Sequence, residues 1–515
     1  MKIVIRLLKS LALFAVAAPS CYADVSVPSL FSDHMVLQRD KPIQIWGRAT
    51  PGEAVNVKLD GKTAEAIADD AGEWNVSLPA MSAGGPYSMT ILGNNAIRIE
   101  DILIGEVWLA SGQSNMHWRV RQSTNADLAT LATRREPDIR YVQVRNQGSQ
   151  SPQYETDGDW QVISPATVGN LSGVAYAFAE MLNNVLGVPV GIIENPWGGS
   201  TAESWVDRDV IANDPQLRDI HEEWLQIEAS YDPAAEEAAH AERLAEWKAK
   251  AAGFLARGFK PPRQPAKFTN EMTGQHRPGN LWNARLLPIA PYTLRGVIWY
   301  QGEANSESPE RATQYHHLFS TLIREWRTLW GEEFPFYWVQ LADFGEESAF
   351  DEKYSWAFLR EAQTRTMNSV PNTGQAVIID LGEGRDIHPL EKEEVGRRLA
   401  RWALSRDYGF MDLPARSPEF EFWKQEDNKV IVDFKFTGGG LKTFDTESVK
   451  GFVVRRADGK WLVTEGKIYR DHSVLIEVAP DIEITAVRYA WANNPICNLY
   501  SKNGLPVTPF RTDHD

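Results

Sequence analysis

The chain has 515 residues, 24% of them charged, and a formal net charge of −16 at pH 7. That acidic balance argues against nucleic acid or anionic membrane as a partner. The length is too great for one hydrophobic core and implies two to four domains.

Residues 1–23 read as a secretory signal peptide. Lys2, Arg6 and Lys9 flank a short apolar stretch, Leu11 to Ala18, and Cys21-Tyr22-Ala23 ends in a small residue suited to cleavage. The stretch is too short to span a bilayer, and no other run is long enough, so no membrane association is expected after cleavage. The leader holds three cations and no acid, so its removal takes the net charge to −19 and leaves one cysteine, Cys497. A secreted or periplasmic chain with one cysteine forms no internal disulfide, and packing alone must hold it.

Residues 24–100 predict a small β-sandwich-like domain. Val36–Trp46 alternates loosely, Ala54–Leu59 alternates clearly before an Asp60-Gly61 turn, and Glu73–Leu78 follows as another strand. From Asp101 to about residue 410, strand-like and helix-like runs alternate: Ile102–Ala110, Val174–Leu186, Val188–Ile193, Gly296–Tyr300, Phe336–Leu341 and Ala376–Leu381. That alternation predicts an α/β domain with a largely parallel sheet. An insertion over residues 213–285 begins as a solvated, Ala/Glu/Lys-rich helical stretch and closes with a proline-rich loop, Pro261–Pro265. Residues 411–515 return to β structure, with runs at Val430–Phe436, Gly451–Arg455 and Val474–Val478, the last part expected to pack back on the α/β domain.

The residues suited to chemistry lie just past the apolar runs. Gly112-Gln113-Ser114-Asn115-Met116 follows Ile102–Ala110 and places a serine beyond a strand's C-terminal end, where open α/β sheets build their sites. A helix starting there offers free N–H groups to a developing oxyanion. A serine hydroxyl needs a base, and His388, between Ala376–Leu381 and a predicted helix Glu391–Ala403, is the candidate. Asp386 stands two residues before it, placed either to orient the imidazole or to cap the next helix; Asp380 and Glu383 are alternative acids. Gln301-Gly302-Glu303-Ala304-Asn305 follows Gly296–Tyr300 and brings side-chain amides able to donate to an oxyanion. Ser172-Gly173 offers a backbone N–H for the same purpose, and Trp197-Gly198-Gly199-Ser200 is a further glycine-rich loop. One such loop is a plain turn; four beside predicted strands argue for a shared crevice.

The segments GEVWLASGQSNM, IWYQGEAN and DIHPLEKEEVGRRLA together resemble the sialate O-acetylesterase group of SGNH-type carbohydrate esterases. VLQRDKPIQIWGRATPGE near the start and RYAWANNPICNLYSKNGLPVTPFR near the end are similar to it too, so the likeness touches nearly the whole mature chain in order. The resemblance implies a flavodoxin-like three-layer α/β/α domain with appended β-sandwich domains. It also implies cofactor-free and metal-free hydrolysis of acetyl esters on carbohydrates. It assigns Ser114 as nucleophile, His388 as base, and Gly173 with Gln301 or Asn305 as oxyanion donors. Two features depart from the pattern. The acid of that class stands three residues before the histidine, where this chain has Arg385, and QGEAN is longer than the usual glycine-to-asparagine spacing.

Two rival readings are a non-catalytic sugar-binding protein and a glycosidase with Glu303 and Asp343 as paired carboxylates. Of the nineteen tryptophans, Trp197, Trp205, Trp299 and Trp491 are candidates to line a sugar site or to fill the core. Arg119, Arg263 and Arg385 are the cations that an anionic sugar such as sialic acid would require. The net charge favours a neutral plant polysaccharide such as xyloglucan or xylan. Oligomeric state is not legible.

Overall fold

The structure, a computed structural model, describes residues 24–135, 138–262, 264–265, 270–350 and 355–513. The predicted leader and Arg263 lie outside the described residues.

The first strands are β1 (Val36–Gln38), β2 (Ile43–Arg48), β3 (Ala54–Leu59), β4 (Lys62–Ile67), β5 (Glu73–Leu78) and β6 (Gly84–Leu92). Asp60 and Gly61 both take positive φ, 44° and 74°, the backbone that a tight two-residue hairpin between β3 and β4 requires. β3 also pairs with β6, and β2 pairs with β5.

The 17-residue strand β7 (Ala96–Gly112) links this region to the rest. Its first half pairs antiparallel with β6 and stays partly exposed. From Ile102 to Gly112 every residue is buried, because the second half sits in a parallel sheet. After β7 come the short helix α1 (Ser114–His117), α2 (Ala126–Ala132), β8 (Ile139–Gln143), β9 (Gln161–Val162), α3 (Gly173–Leu186) and β10 (Val190–Pro196). Next is α4 (Arg208–Asn213), and the predicted helical insertion holds α5 (Arg218–Ser230) and α6 (Pro233–Ala256), the last with Asp232 as N-cap and proline in its first turn. There follow β11 (Gly296–Tyr300), α7 (Pro309–Trp330), β12 (Phe336–Val339), β13 (Glu347–Ser348), α8 (Ser355–Ser369), β14 (Thr373–Ala376) and α9 (Lys392–Asp407).

The parallel strands run in the order β14-β12-β11-β7-β10-β8, with β9 antiparallel on the edge. Gly112 pairs with both Pro196 and Tyr300, so β7, β10 and β11 end at one level. The loops after these three strands therefore meet.

One predicted strand is corrected. β14 stops at Ala376, and the segment Val377–Leu381, buried as far as Ile379, has no ladder. Beyond β12, Gln340 N–H still reaches Ala376 O, but Leu341 N–H is taken by the Gln363 side chain of α8. That N–H faces β11, and past Ala376 the chain leaves β12 in a turn in which Leu381 N–H donates to Ile378 O.

The C-terminal strands are β15 (Glu419–Glu426), β16 (Lys429–Lys435), β17 (Leu441–Thr443), β18 (Ser448–Arg456), β19 (Trp461–Arg470), β20 (Ser473–Glu477), β21 (Ile484–Tyr489), β22 (Asn494–Pro495), β23 (Leu499–Ser501) and β24 (Phe510–Arg511). Seven of them form an antiparallel sheet, β15-β16-β20-β19-β18-β21-β24, over its own core that includes Val432, Phe434, Val454 and Val487. β22 leaves this sheet to pair with β13 of the α/β region.

Candidate active site

Ser114 opens α1 directly beyond β7. The turn depends on Gly112, at φ 125°, where a Cβ would lie 2.2 Å from the carbonyl oxygen of Tyr300. Only glycine lets β7 and β11 approach this closely while the chain turns to present the serine.

His388 reaches Ser114 from the loop between β14 and α9, with Nε2 2.9 Å from Oγ. Its ring stacks on Trp118 at 4.7 Å and 13° between planes, which holds the imidazole flat against α1's C-terminal end. Asp386 Oδ1 accepts the backbone N–H of His388 at 2.9 Å and lies 3.3 Å from Nδ1. Its side chain is 54% exposed, against 17% for His388. The other two acids face elsewhere: Asp380 makes a bidentate pair with Arg398 at 2.7 and 2.8 Å, and Glu383 accepts the N–H of Leu390. The cap of α9 is Glu391, so Asp386 closes the turn at His388 and not the helix.

The expected oxyanion donors each make a bond within the protein. Gly173 N–H donates to Trp118 O at 2.8 Å. Gln301 Nε2 donates to Ser200 O and to Asn305 Oδ1, while its Oε1 accepts from Tyr315. Asn305 Nδ2 donates to Glu203 at 2.8 Å. The Gly173 N–H and both Gln301 Nε2 hydrogens are engaged in these bonds, while Asn305 Nδ2 uses one of its two hydrogens on Glu203. The fourth loop lies against the serine: a Cβ added to Gly198 would stand 3.5 Å from Ser114 Cβ. The glycine pair after β10 was a visible signal, but its contact with Ser114 depends on the shared level of β7 and β10.

The carboxylates of the glycosidase reading are also occupied. Glu303 accepts Asn115 Nδ2 at 2.5 Å and is buried, and burial pushes its carboxyl up from the ordinary range. Asp343 accepts Gly382 N–H at 2.8 Å. Trp205, Trp299 and Trp491 lie in the core, leaving Trp197 half-buried at the site with Arg285 over its ring at 5.7 Å. Arg285 sits in the π-helical turn Trp282–Leu286, buried, and donates only to neutral groups: Asn195, Asn146 and the carbonyls of Val144 and Pro196. Burial pulls it down to about 9. Arg119 is paired with the buried Glu194 and lies 3.1 Å from His117 Nε2. Arg385 is exposed in the histidine loop.

Residues 281–405 match the family described as SASA, a carbohydrate esterase and sialic acid-specific acetylesterase. A solved carbohydrate acetylesterase from Xanthomonas citri is 34% identical, with a TM-score of 0.78, over 95% of this chain and all of that one. The sialate O-acetylesterases of Mus musculus and Homo sapiens are 29% and 27% identical, each over 94% of this chain and 93% and 91% of their own lengths. With the whole of the Xanthomonas citri chain matched, this protein belongs to the carbohydrate acetylesterases, the family in which the sialate O-acetylesterases fall.

Proposed function

We propose that this carbohydrate O-acetylesterase works through a serine acyl-enzyme. The observation that carries the reading is the 2.9 Å contact between His388 Nε2 and Ser114 Oγ. His388 takes the serine proton as Oγ attacks the acetyl carbonyl, and returns it to the departing sugar hydroxyl. Water then enters by the same route, releases acetate and frees the serine. The tetrahedral oxygen is held by the N–H groups of Ser114 and Gly198, each contributing on the order of 3 kcal/mol if well aimed. Asp386 orients the imidazole at Nδ1 and supports its positive charge.

The fold of this reading is flavodoxin-like. Counting β7, β10, β11, β12 and β14 in chain order gives the sheet order 2-1-3-4-5, with β8 added outside β10. The dyad stands where the order reverses, between β7 and β11, the place where such sheets bind ligands.

The substrate we infer is a neutral acetylated polysaccharide of the xylan or xyloglucan kind. Arg119 is neutralised by Glu194, and the exposed acids Glu383 and Asp386 flank the histidine. Acetate release without new reducing ends is expected from acetylated xylan oligosaccharides, and slower release from O-acetylated sialic acid. The reverse preference would overturn the substrate and leave the mechanism standing.

Ser114→Ala should remain folded and lose roughly three or more orders of magnitude of turnover, His388→Ala should match it, and the double variant should cost little more. Near-normal hydrolysis of 4-nitrophenyl acetate by Ser114→Ala would remove the mechanism.

A further inference from the structure

The residue after the serine and the residue before the histidine are joined directly. Asn115 Nδ2 donates to the carbonyl oxygen of Ile387 at 2.9 Å, beside its 2.5 Å bond to Glu303 Oε1. Asn115 Oδ1 accepts from Lys392 Nζ at 2.6 Å. An asparagine amide has one acceptor end and two donor hydrogens, and here every one is specified: a cation fixes the oxygen, a carboxylate and a carbonyl take the nitrogen. The amide therefore has a single orientation, and with it the distance from α1 to the histidine loop is set.

The parts come from separate elements. Asn115 belongs to α1 after β7, Glu303 to the turn after β11, and Lys392 to the first residue of α9. Asn115 and Lys392 are fully buried. Tyr300 lies under the ammonium at 5.4 Å, and Gly173 packs on the Lys392 stem, where a Cβ would meet Lys392 Cβ at 2.9 Å. Charge in such a place is a poor means of stabilisation, because desolvation offsets most of the Coulomb attraction. Apolar residues in place of Glu303 and Lys392 would fill the volume at lower cost but would leave the Asn115 amide free to flip. What the polar trio supplies is register.

We propose that Asn115, Glu303 and Lys392 form a positioning clamp that fixes Ser114 against His388, an inference that rests on the dyad reading above. The three act through their neighbours and touch no reacting atom. A misplacement of about 1 Å between reacting groups can cost a hundredfold in rate, so the clamp belongs to turnover and not to affinity.

The test measures kcat, KM and melting temperature with 4-nitrophenyl acetate for Glu303→Ala, Glu303→Gln, Lys392→Met and the Glu303→Gln/Lys392→Met double variant. Glu303→Ala and Lys392→Met are expected to lower kcat about ten- to a hundredfold with KM within about twofold. Glu303→Gln, whose amide oxygen still accepts from Asn115, should recover most of the loss, and the double variant should fall no further than Lys392→Met, since both act on one amide. Should Glu303→Ala or Lys392→Met fail to fold, Asn115→Asp takes its place: it keeps the shape, has no N–H for Ile387, and should lower kcat alike. A folded variant lacking any of these bonds with unchanged kcat overturns the clamp. So does a loss confined to melting temperature, or one that Glu303→Gln does not relieve. Ser114→Ala in the same assay separates the two claims: if it stays active, the dyad has failed and not the clamp.

Discussion

At Asp386 two acceptor roles fall on one oxygen, the backbone N–H of His388 and its ring Nδ1. A buried acid in a serine protease triad is worth roughly 10⁴ in turnover when changed to its amide. Asp386 is half-exposed and 3.3 Å from Nδ1, so water competes for its charge. Asp386→Asn is expected to lose about ten- to a hundredfold in kcat at little cost in melting temperature, the smaller loss following from exposure. Asp380→Asn should do the opposite, because it breaks the bidentate pair with the buried Arg398, and removing one partner of a buried ion pair typically costs about 3–5 kcal/mol. Thermal melts beside steady-state rates check both, and a larger kcat loss in Asp380→Asn would mean the wrong acid has been named. The serine, the histidine and its neighbouring acid were legible because each sits in a short motif beside an apolar run. Which hydrogens are engaged within the protein was not. Whether Gly173, Gln301 and Asn305 have hydrogens to spare is decided by Trp118, Ser200 and Glu203, which no local spacing announces.

Among the elements, α3 and α9 meet at Gly396. A Cβ there would stand 2.4 Å from Val174 O and 2.7 Å from Ala177 Cβ. Two effects oppose each other in Gly396→Ala. Helix propensity favours alanine by about 1 kcal/mol, while overpacking a full interface costs typically about 1–3 kcal/mol. The close contact is with backbone, which cannot swing aside, so packing should win and the melting temperature should fall. Because α9 starts at Lys392, four residues past His388, turnover is expected to fall with it. A more stable variant would show that the helices part easily. The boundaries of β3, β5 and β11 were legible to the residue, since alternation or a full apolar run coincides with pairing, on both edges for β3 and β11 and with β2 alone for β5. The run Ala376–Leu381 misled because a strand end and the apolar start of a buried turn share one sequence pattern.

For the whole molecule, the sequence pattern showed an α/β region followed by β structure, but not how the last strands would serve the site. β22 pairs with β13, Asn494 Nδ2 donates to Gly345 O, and Gly345 N–H donates to Gly384 O in the histidine loop. Residues nearly 500 positions along the chain thus support a loop that closes over Ser114. The export expectation belongs at this scale too. Mature protein from its host should begin near Asp24, found outside the cytoplasm; N-terminal sequencing that returned Met1 would overturn it. β7 has a final consequence. One strand, bent where Asp101 takes φ 55°, serves as rung to an antiparallel sheet at Ala96–Ile104 and to a parallel one at Glu106–Gly112. No loop parts the two, so they should melt as a single cooperative unit, and heat that loosens the first sheet will already have begun to unseat the serine.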